Sequence, residues 1–202
     1  MANDLSVRVA TAGDAAVVAE LNGTVQALHH RNRPDRFPAP DVAGVARNFE
    51  RWFGPDDRPP PRPGASATRG WICEDGTGRA VGYAIAILTR REATPFTSAA
   101  SWVELDQIAV REDCRGSGAG RALAAAVVAW AAELDVAEVE LTVWEFNATA
   151  RAFFASLGFS TRQRRLSAPV PRVGEADPRT SAGATVRAEG GGRARRRPHW
   201  RA

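Results

Sequence analysis

The sequence predicts an α/β (α+β) domain followed by a tail with almost nothing to bury. Over residues 1–167 the hydrophobic period switches repeatedly between the two residues of a strand and the 3.6 of a helix. The clearest helix, 122–134, starts from a glycine turn that directly follows a strand. With 202 residues, 44% hydrophobic and 25% charged, the chain has the length and composition of one globular domain with a full core.

Leu5, Val7 and Val9 alternate as a first strand. A helix follows, with Asp14 as its N-cap and Val17, Val18, Leu21, Val25 and Leu28 on one face, ending before Pro34. His29 and His30 close it, where a cation suits the helix dipole. A second helix is expected over 41–53, with Val42, Val45, Phe49 and either Trp52 or Phe53 inward. Residues 54–70, centred on P-D-D-R-P-P-P-R-P-G, read as a long Pro-rich surface loop, either a lid or a disordered insert.

Residues 71–74 and 80–89 form two strands joined by the hairpin turn Asp75-Gly76-Thr77-Gly78, with Cys73 in the core. In 102–110 the apolar positions fall first on odd residues, Val103 and Leu105, then on even ones, Ile108 and Val110. A one-residue slip of this kind is what a β-bulge near Asp106 and Gln107 produces, and it would open the sheet beside Val110 to the amides of a ligand. Residues 137–143 make a further strand, Asn147 caps a helix that runs to Leu157 and stops at Gly158, and 159–166 form a last strand.

Arg115, Gly116, Ser117, Gly118, Ala119, Gly120 and Arg121 therefore stand at a helix N-terminus. The unpaired N–H groups and positive dipole end there favour an anion, and glycines let it approach the backbone. The plain alternative is a turn that only joins strand to helix. A P-loop is excluded because the chain has no lysine, and the dinucleotide fingerprint fails at Arg121, where a third glycine is required. The absence of lysine also removes Schiff-base chemistry and, with the abundant alanine, points to a GC-rich, bacterial coding sequence. Two distant cysteines and three histidines show neither disulfide nor zinc spacing.

Charge divides the chain. From Ala168 onward there are eight arginines against three acidic residues; before it, 19 against 20. The basic pI belongs to residues 168–202, an Arg/Gly/Pro-rich tail that reads as disordered and is the only part suited to nucleic acid, through its arginines and Trp200, unless it is simply solvated. No segment is apolar and long enough to span a membrane, and residues 1–9 lack a signal-peptide pattern, so a cytoplasmic protein is expected.

Two blocks carry a resemblance. R-x-x-G-x-G at Arg115, Gly118 and Gly120 follows a strand ending Ile-Ala-Val, and N-x-x-A-x-x-F-F-x-x-x-G-F runs from Asn147 to Phe159. In this order they resemble the GNAT superfamily of N-acetyltransferases, over roughly residues 5–166. The resemblance implies a mixed, mostly antiparallel sheet with a bulged, splayed central strand flanked by helices. It implies acetyl-CoA as co-substrate, no metal, and a primary amine, in a small molecule or a peptide, as acceptor. By the same resemblance, the backbone of Ile108, Ala109 and Val110 pairs with the pantetheine amides, residues 115–121 hold the pyrophosphate, and Asn147 bonds the pantetheine arm. Glu104 is the candidate general base, with Asp106 second. Phe154 departs from the pattern, for it stands where many relatives carry the tyrosine that protonates the leaving thiolate. The acceptor pocket is expected between the connection 28–41 and the later strands. An acyl-CoA-binding regulator without turnover, or a nucleic-acid-associated protein acting through the tail, are the competing readings. Monomer and homodimer remain open.

Overall fold

The computed structural model describes residues 4–53, 63–168 and 170. The core of the predicted Pro-rich loop, 54–62, and most of the tail, 169 and 171–202, lie outside the described residues.

Residues 1–160 form one compact unit, distinct from 161–202. Its described elements run β1 Ser6–Val9, α1 Ala15–Asn32, α2 Val42–Trp52, β2 Ala65–Glu74, β3 Ala80–Arg91, β4 Ala100–Val110, α3 Ala119–Glu133, β5 Val139–Leu141 and α4 Ala148–Ser156. The five strands lie in sequence order across one sheet. The first four pair antiparallel, while β5 joins β4 in parallel, which makes the sheet mixed and mostly antiparallel.

β3 is the central strand, buried from Val81 to Thr89. Its alternation sorts residues by size. Ala84 and Ala86 face the core shared with α3, whereas Tyr83 and Ile85 face the core shared with α1 and α2. Small residues on the first face let α3 lie close to the sheet, and α3 answers with the stripe Ala119, Leu123, Val127, Trp130, Ala131, spaced three and four residues apart. Trp130 meets Trp71 edge-on at 5.7 Å, and the Arg69 guanidinium lies 5.2 Å from the Trp130 ring centroid. On the other face Val18 and Leu21 of α1 and Phe49 of α2 are buried.

Four expectations change. β2 begins at Ala65, six residues inside the predicted loop, because the long β3 offers Leu88, Ile87, Ala86 and Ile85 as partners to Ala67, Thr68, Arg69 and Gly70; that run has too little hydrophobic alternation to reveal a strand by itself. Val42 is 49% exposed on the first turn of α2, outside the buried stripe that Phe49 anchors. The strand predicted over 159–166 does not form. Every residue from 160 to 168 is exposed, and S-T-R-Q-R-R-L has three arginines and one large apolar side chain, too little to hold a sheet edge. Asp14 does stand at the N-cap of α1, but its carboxylate turns back to accept the Thr11 N–H at 2.7 Å and the Arg8 guanidinium at 2.9 and 2.7 Å. The Arg8 guanidinium holds the Asp14 carboxyl down at about 2. This ion pair ties β1 to the start of α1. Among the described residues no helix is long and apolar enough to cross a membrane.

Candidate active site

The parity slip in β4 is a bulge at the expected place. Ile85 pairs with Gln107 and the next residue, Ala86, with Leu105, so Asp106 is the extra residue. Before it, Val103 and Leu105 face the α3 core; after it, Ile108 and Val110 do, and Ala109 turns to the α1 core. One inserted residue thus keeps both apolar runs on the same face.

The bulge coincides with a parting of strands. β4 and β5 pair only through Val103, Glu104 and Leu105 with Val139, Glu140 and Leu141. Beyond Leu105, β4 continues to Val110 while paired with β3 alone, and on its other edge no described strand accompanies it. Residues 106–110 therefore offer strand backbone to a slot rather than to a neighbour.

That slot leads to the glycine turn. A short 3-10 turn, Glu112–Cys114, follows β4, and the chain then reaches α3 through Gly116 and Gly118, with φ of 81° and 97°. Gly118 is the N-cap of α3, and a side chain there would be strained whatever the space. Around Gly116 an added Cβ would meet nothing within 4 Å, so the turn is open to an approaching group. Gly120 has a different role. A Cβ on it would lie 3.1 Å from the Phe153 ring, so this glycine seats α3 against α4. α3 begins at Ala119, three residues earlier than expected, so the N–H groups of Ala119, Gly120 and Arg121 belong to its first turn. Arg121 is exposed, and Arg115 is paired with Glu112 at 3.3 Å.

Across the slot, Asn147 caps α4 by accepting the Ala150 N–H on its Oδ1 at 3.1 Å, which leaves its amide N–H₂ as the group that can donate elsewhere. Phe154 is 7% exposed and packs on Phe153 and Phe159 at 5.1 and 5.5 Å between centroids. Glu104 stands beside Glu140 in the parallel register, on the face opposite Val103 and Leu105 and therefore on the α1 side.

Two groups of residues escaped the sequence reading. The first lies at the bulge. Asn22 of α1 donates to the Tyr83 hydroxyl at 2.9 Å and to Gln107 Oε1 at 3.1 Å, and Tyr83 donates to the same Gln107 oxygen at 3.0 Å. Gln107 in turn donates to Asp106 at 3.3 Å. Tyr83 is buried, and its phenol is pushed well above the ordinary tyrosine range, so it stays protonated. The second is a set of partly exposed rings outside both cores: His29, Phe37, Trp144 and Phe146. His29 belongs here rather than to a cationic helix cap, since burial lowers its pKa and favours the neutral ring. No signal in the sequence joins Asn22 to Tyr83 and Gln107, or His29 and Phe37 to Phe146 and Trp144, residues 61 to 117 positions apart; only the fold does.

Comparison with known proteins finds the same fold. A point mutant of the BH1408 protein from Bacillus halodurans superposes with a TM-score of 0.73, at 23% identity, over 82% of this chain and 99% of its own. The aminoglycoside N-acetyltransferase AAC(6')-Iy in complex with CoA gives 0.61 at 18% identity over 84% and 97%. An aminoglycoside acetyltransferase from an uncultured soil metagenomic sample, in complex with trehalose, gives 0.55 at 12% identity over 83% and 96%. At these identities the likeness is one of fold. No curated sequence matches the chain. Residues 26–159, which contain the bulged strand, the glycine turn and the Asn147 block, match the acetyltransferase (GNAT) family, and the chain belongs to that family.

Proposed function

We propose that this protein transfers an acetyl group from acetyl-CoA to a primary amine by direct attack on the thioester. The observation that carries the proposal is the continuous path from the unaccompanied edge of β4, residues 106–110, into the positive-φ turn at the start of α3. A pantetheine arm has amide donors and acceptors to match strand backbone, and a pyrophosphate suits the first-turn N–H groups and the exposed Arg121. The residues fit the group at both ends.

In this reading Ile108, Ala109 and Val110 align the pantetheine by backbone bonds, residues 115–121 hold the pyrophosphate, and the Asn147 amide steadies the arm from the opposite lip. The thioester then lies beside the bulge. The neutral amine forms the new N–C bond, the C–S bond breaks, and its electron pair leaves with the sulfur. Glu104, reached through water, takes the proton that the amine loses, with Asp106 second. Phe154 has no proton to give, and the Tyr83 hydroxyl is committed to Gln107 inside the core. A thiolate with a pKa of about 8.5 is a tolerable leaving group near neutral pH, so the step proceeds without a dedicated acid.

The buried, apolar Phe154 also favours a second reading, acyl-CoA binding without turnover. Acetyl-CoA-dependent thiol release across an amine panel separates the two. Turnover that falls in Glu104→Gln, most steeply below the pKa of the acceptor amine and with acetyl-CoA affinity intact, supports the proposal. Tight acetyl-CoA binding with no thiol release from any amine favours the second reading. The arginine tail adds a separate proposal, contact with nucleic acid, which a protein ending at Ser167 should lose while keeping acetyl-CoA affinity.

A further inference from the structure

The four rings outside both cores form a continuous wall between two segments far apart in the chain. His29 lies 4.7 Å from Phe37 and 5.8 Å from Phe146 between centroids, Phe37 meets Trp144 edge-on at 5.3 Å, and Trp144 stacks on Phe146 at 5.7 Å. One side of the wall belongs to the end of α1 and the connection to α2; the other belongs to the turn between β5 and α4. Ring contacts have preferred angles as well as separations, so each fixes orientation and not only distance.

The first side is anchored on α1. The Phe37 N–H donates to the Arg33 carbonyl at 2.9 Å, the Phe37 carbonyl accepts from His30 Nδ1 at 2.8 Å, and Gln26 donates to the Pro38 carbonyl at 3.1 Å. The inner residues of α1, among them Val18 and Leu21, are buried. The second side ends at a residue of the site. The Asn147 N–H closes a turn onto the Trp144 carbonyl at 2.9 Å, Phe146 lies inside that turn, and Asn147 begins α4. Because Asn147 Oδ1 is used by the helix cap, the position of its N–H₂ is set by the turn and the cap together.

α4 has a separate anchor. Phe154 is buried in the α3 core, and Phe153 lies where a Cβ on Gly120 would meet it at 3.1 Å, so the body of the helix is seated on α3. Asn147 thus stands between two supports: α4 ties it to α3, and the rings tie the turn before it to α1. Removing a ring loosens the turn while the helix stays packed.

We infer that Phe37 and His29 are positioning residues for Asn147. Through Trp144 and Phe146 they fix the turn from which the Asn147 amide is presented, without themselves touching the co-substrate. This inference rests on the acyl-CoA reading above and adds to it residues from outside the slot.

The test is a double-mutant cycle on acetyl-CoA affinity, with amide exchange at Asn147 as a second readout. Asn147→Ser keeps a good helix cap and removes the amide, and should weaken binding by about threefold to tenfold. Phe37→Leu, apolar but without a flat ring, should weaken binding by about threefold, and Phe37→Tyr should match the unaltered protein. Phe37→Leu combined with Asn147→Ser should bind no more weakly than Asn147→Ser alone. In Phe37→Leu the Asn147 N–H should exchange about fivefold faster or more, while the amides of α3 stay as they were. Full additivity in the double variant, unchanged affinity in Phe37→Leu or Asn147→Ser, an equal loss in Phe37→Tyr, or unchanged exchange at Asn147 would overturn the inference. If Phe37→Leu does not fold, His29→Leu takes its place, with His29→Phe as the variant that keeps a ring. If the unaltered protein does not bind acetyl-CoA, the acyl-CoA reading fails by itself and exchange alone decides. Faster exchange at Asn147 in Phe37→Leu but not in Phe37→Tyr then upholds the hold of the rings on Asn147; the same rate in all three proteins, or equal acceleration in both variants, sinks it.

Discussion

On one face of the sheet Ala84, Ala86, Leu105 and Val103 meet an alanine-rich helix, and what they frame is a backbone site: an open strand edge and a glycine turn. On the other face Tyr83 and Gln107 meet Asn22 of α1, and what they frame is made of side chains brought from far apart. The same strands, β3 and β4, serve both. The difference is one of division of labour. In the proposed reading, a co-substrate common to a whole family would be held by main-chain groups, which any sequence with the right shape supplies, and an acceptor particular to one protein would be met by side chains, which can change without altering the fold.

The contrast can be broken most strongly at the α3 face. Leu123 is fully buried in its core, so Leu123→Ala should cost about 2–5 kcal/mol in a urea titration, the range for a buried leucine that leaves a cavity. A loss below about 1 kcal/mol would mean that α3 is not tightly seated on the alanines. Gly118→Ala acts on the site rather than the core. It should cost about 1–2 kcal/mol for a side chain at positive φ, and weaken acetyl-CoA binding at least tenfold by reshaping the turn. Unchanged affinity in the folded variant would remove the anion-site assignment.

How far the two faces were legible in the sequence follows the same line. The bulge showed in nine residues, because a strand's period is two and Ile108 fell on the wrong parity. The glycine turn and the Asn147 cap were legible for the same reason: each is local, and its residue types are required by backbone geometry. The Asn22–Tyr83–Gln107 network and the ring wall were not, because their members are distant and of types common in any core or loop. The last strand failed for a physical reason too, since alternation alone says nothing when arginines occupy the positions that would have to be buried.

Smaller effects sharpen the account of the α1 face. Asp14 has a folded-state pKa of about 2, below the unfolded value of about 3.9. Its contribution is therefore present above pH 4 and is lost as pH falls from 4 to 2. Because Arg8 is half-exposed, the pair is worth on the order of 1–2 kcal/mol after solvent screening. Asp14→Asn should lower the melting temperature at pH 7 and flatten the acid limb of stability between pH 4 and 2; an unchanged limb would place the acid sensitivity elsewhere. Tyr83→Phe should cost about 1 kcal/mol for the lost hydrogen bonds, and raise the KM for acetyl-CoA a few-fold with little change in kcat, because Gln107 no longer steadies the bulge. An unaltered KM would separate that network from the slot.

The central claim is that the open edge of β4 and the glycine turn together hold acyl-CoA. Amide hydrogen exchange with and without saturating acetyl-CoA tests it most directly. Protection should rise at Ile108 and Val110, whose N–H groups point away from β3, and across residues 116–121, while the amides of β1 and β2 stay as they were. Binding with no added protection at either place would contradict the account and send the search for the acyl-CoA site to another part of the fold.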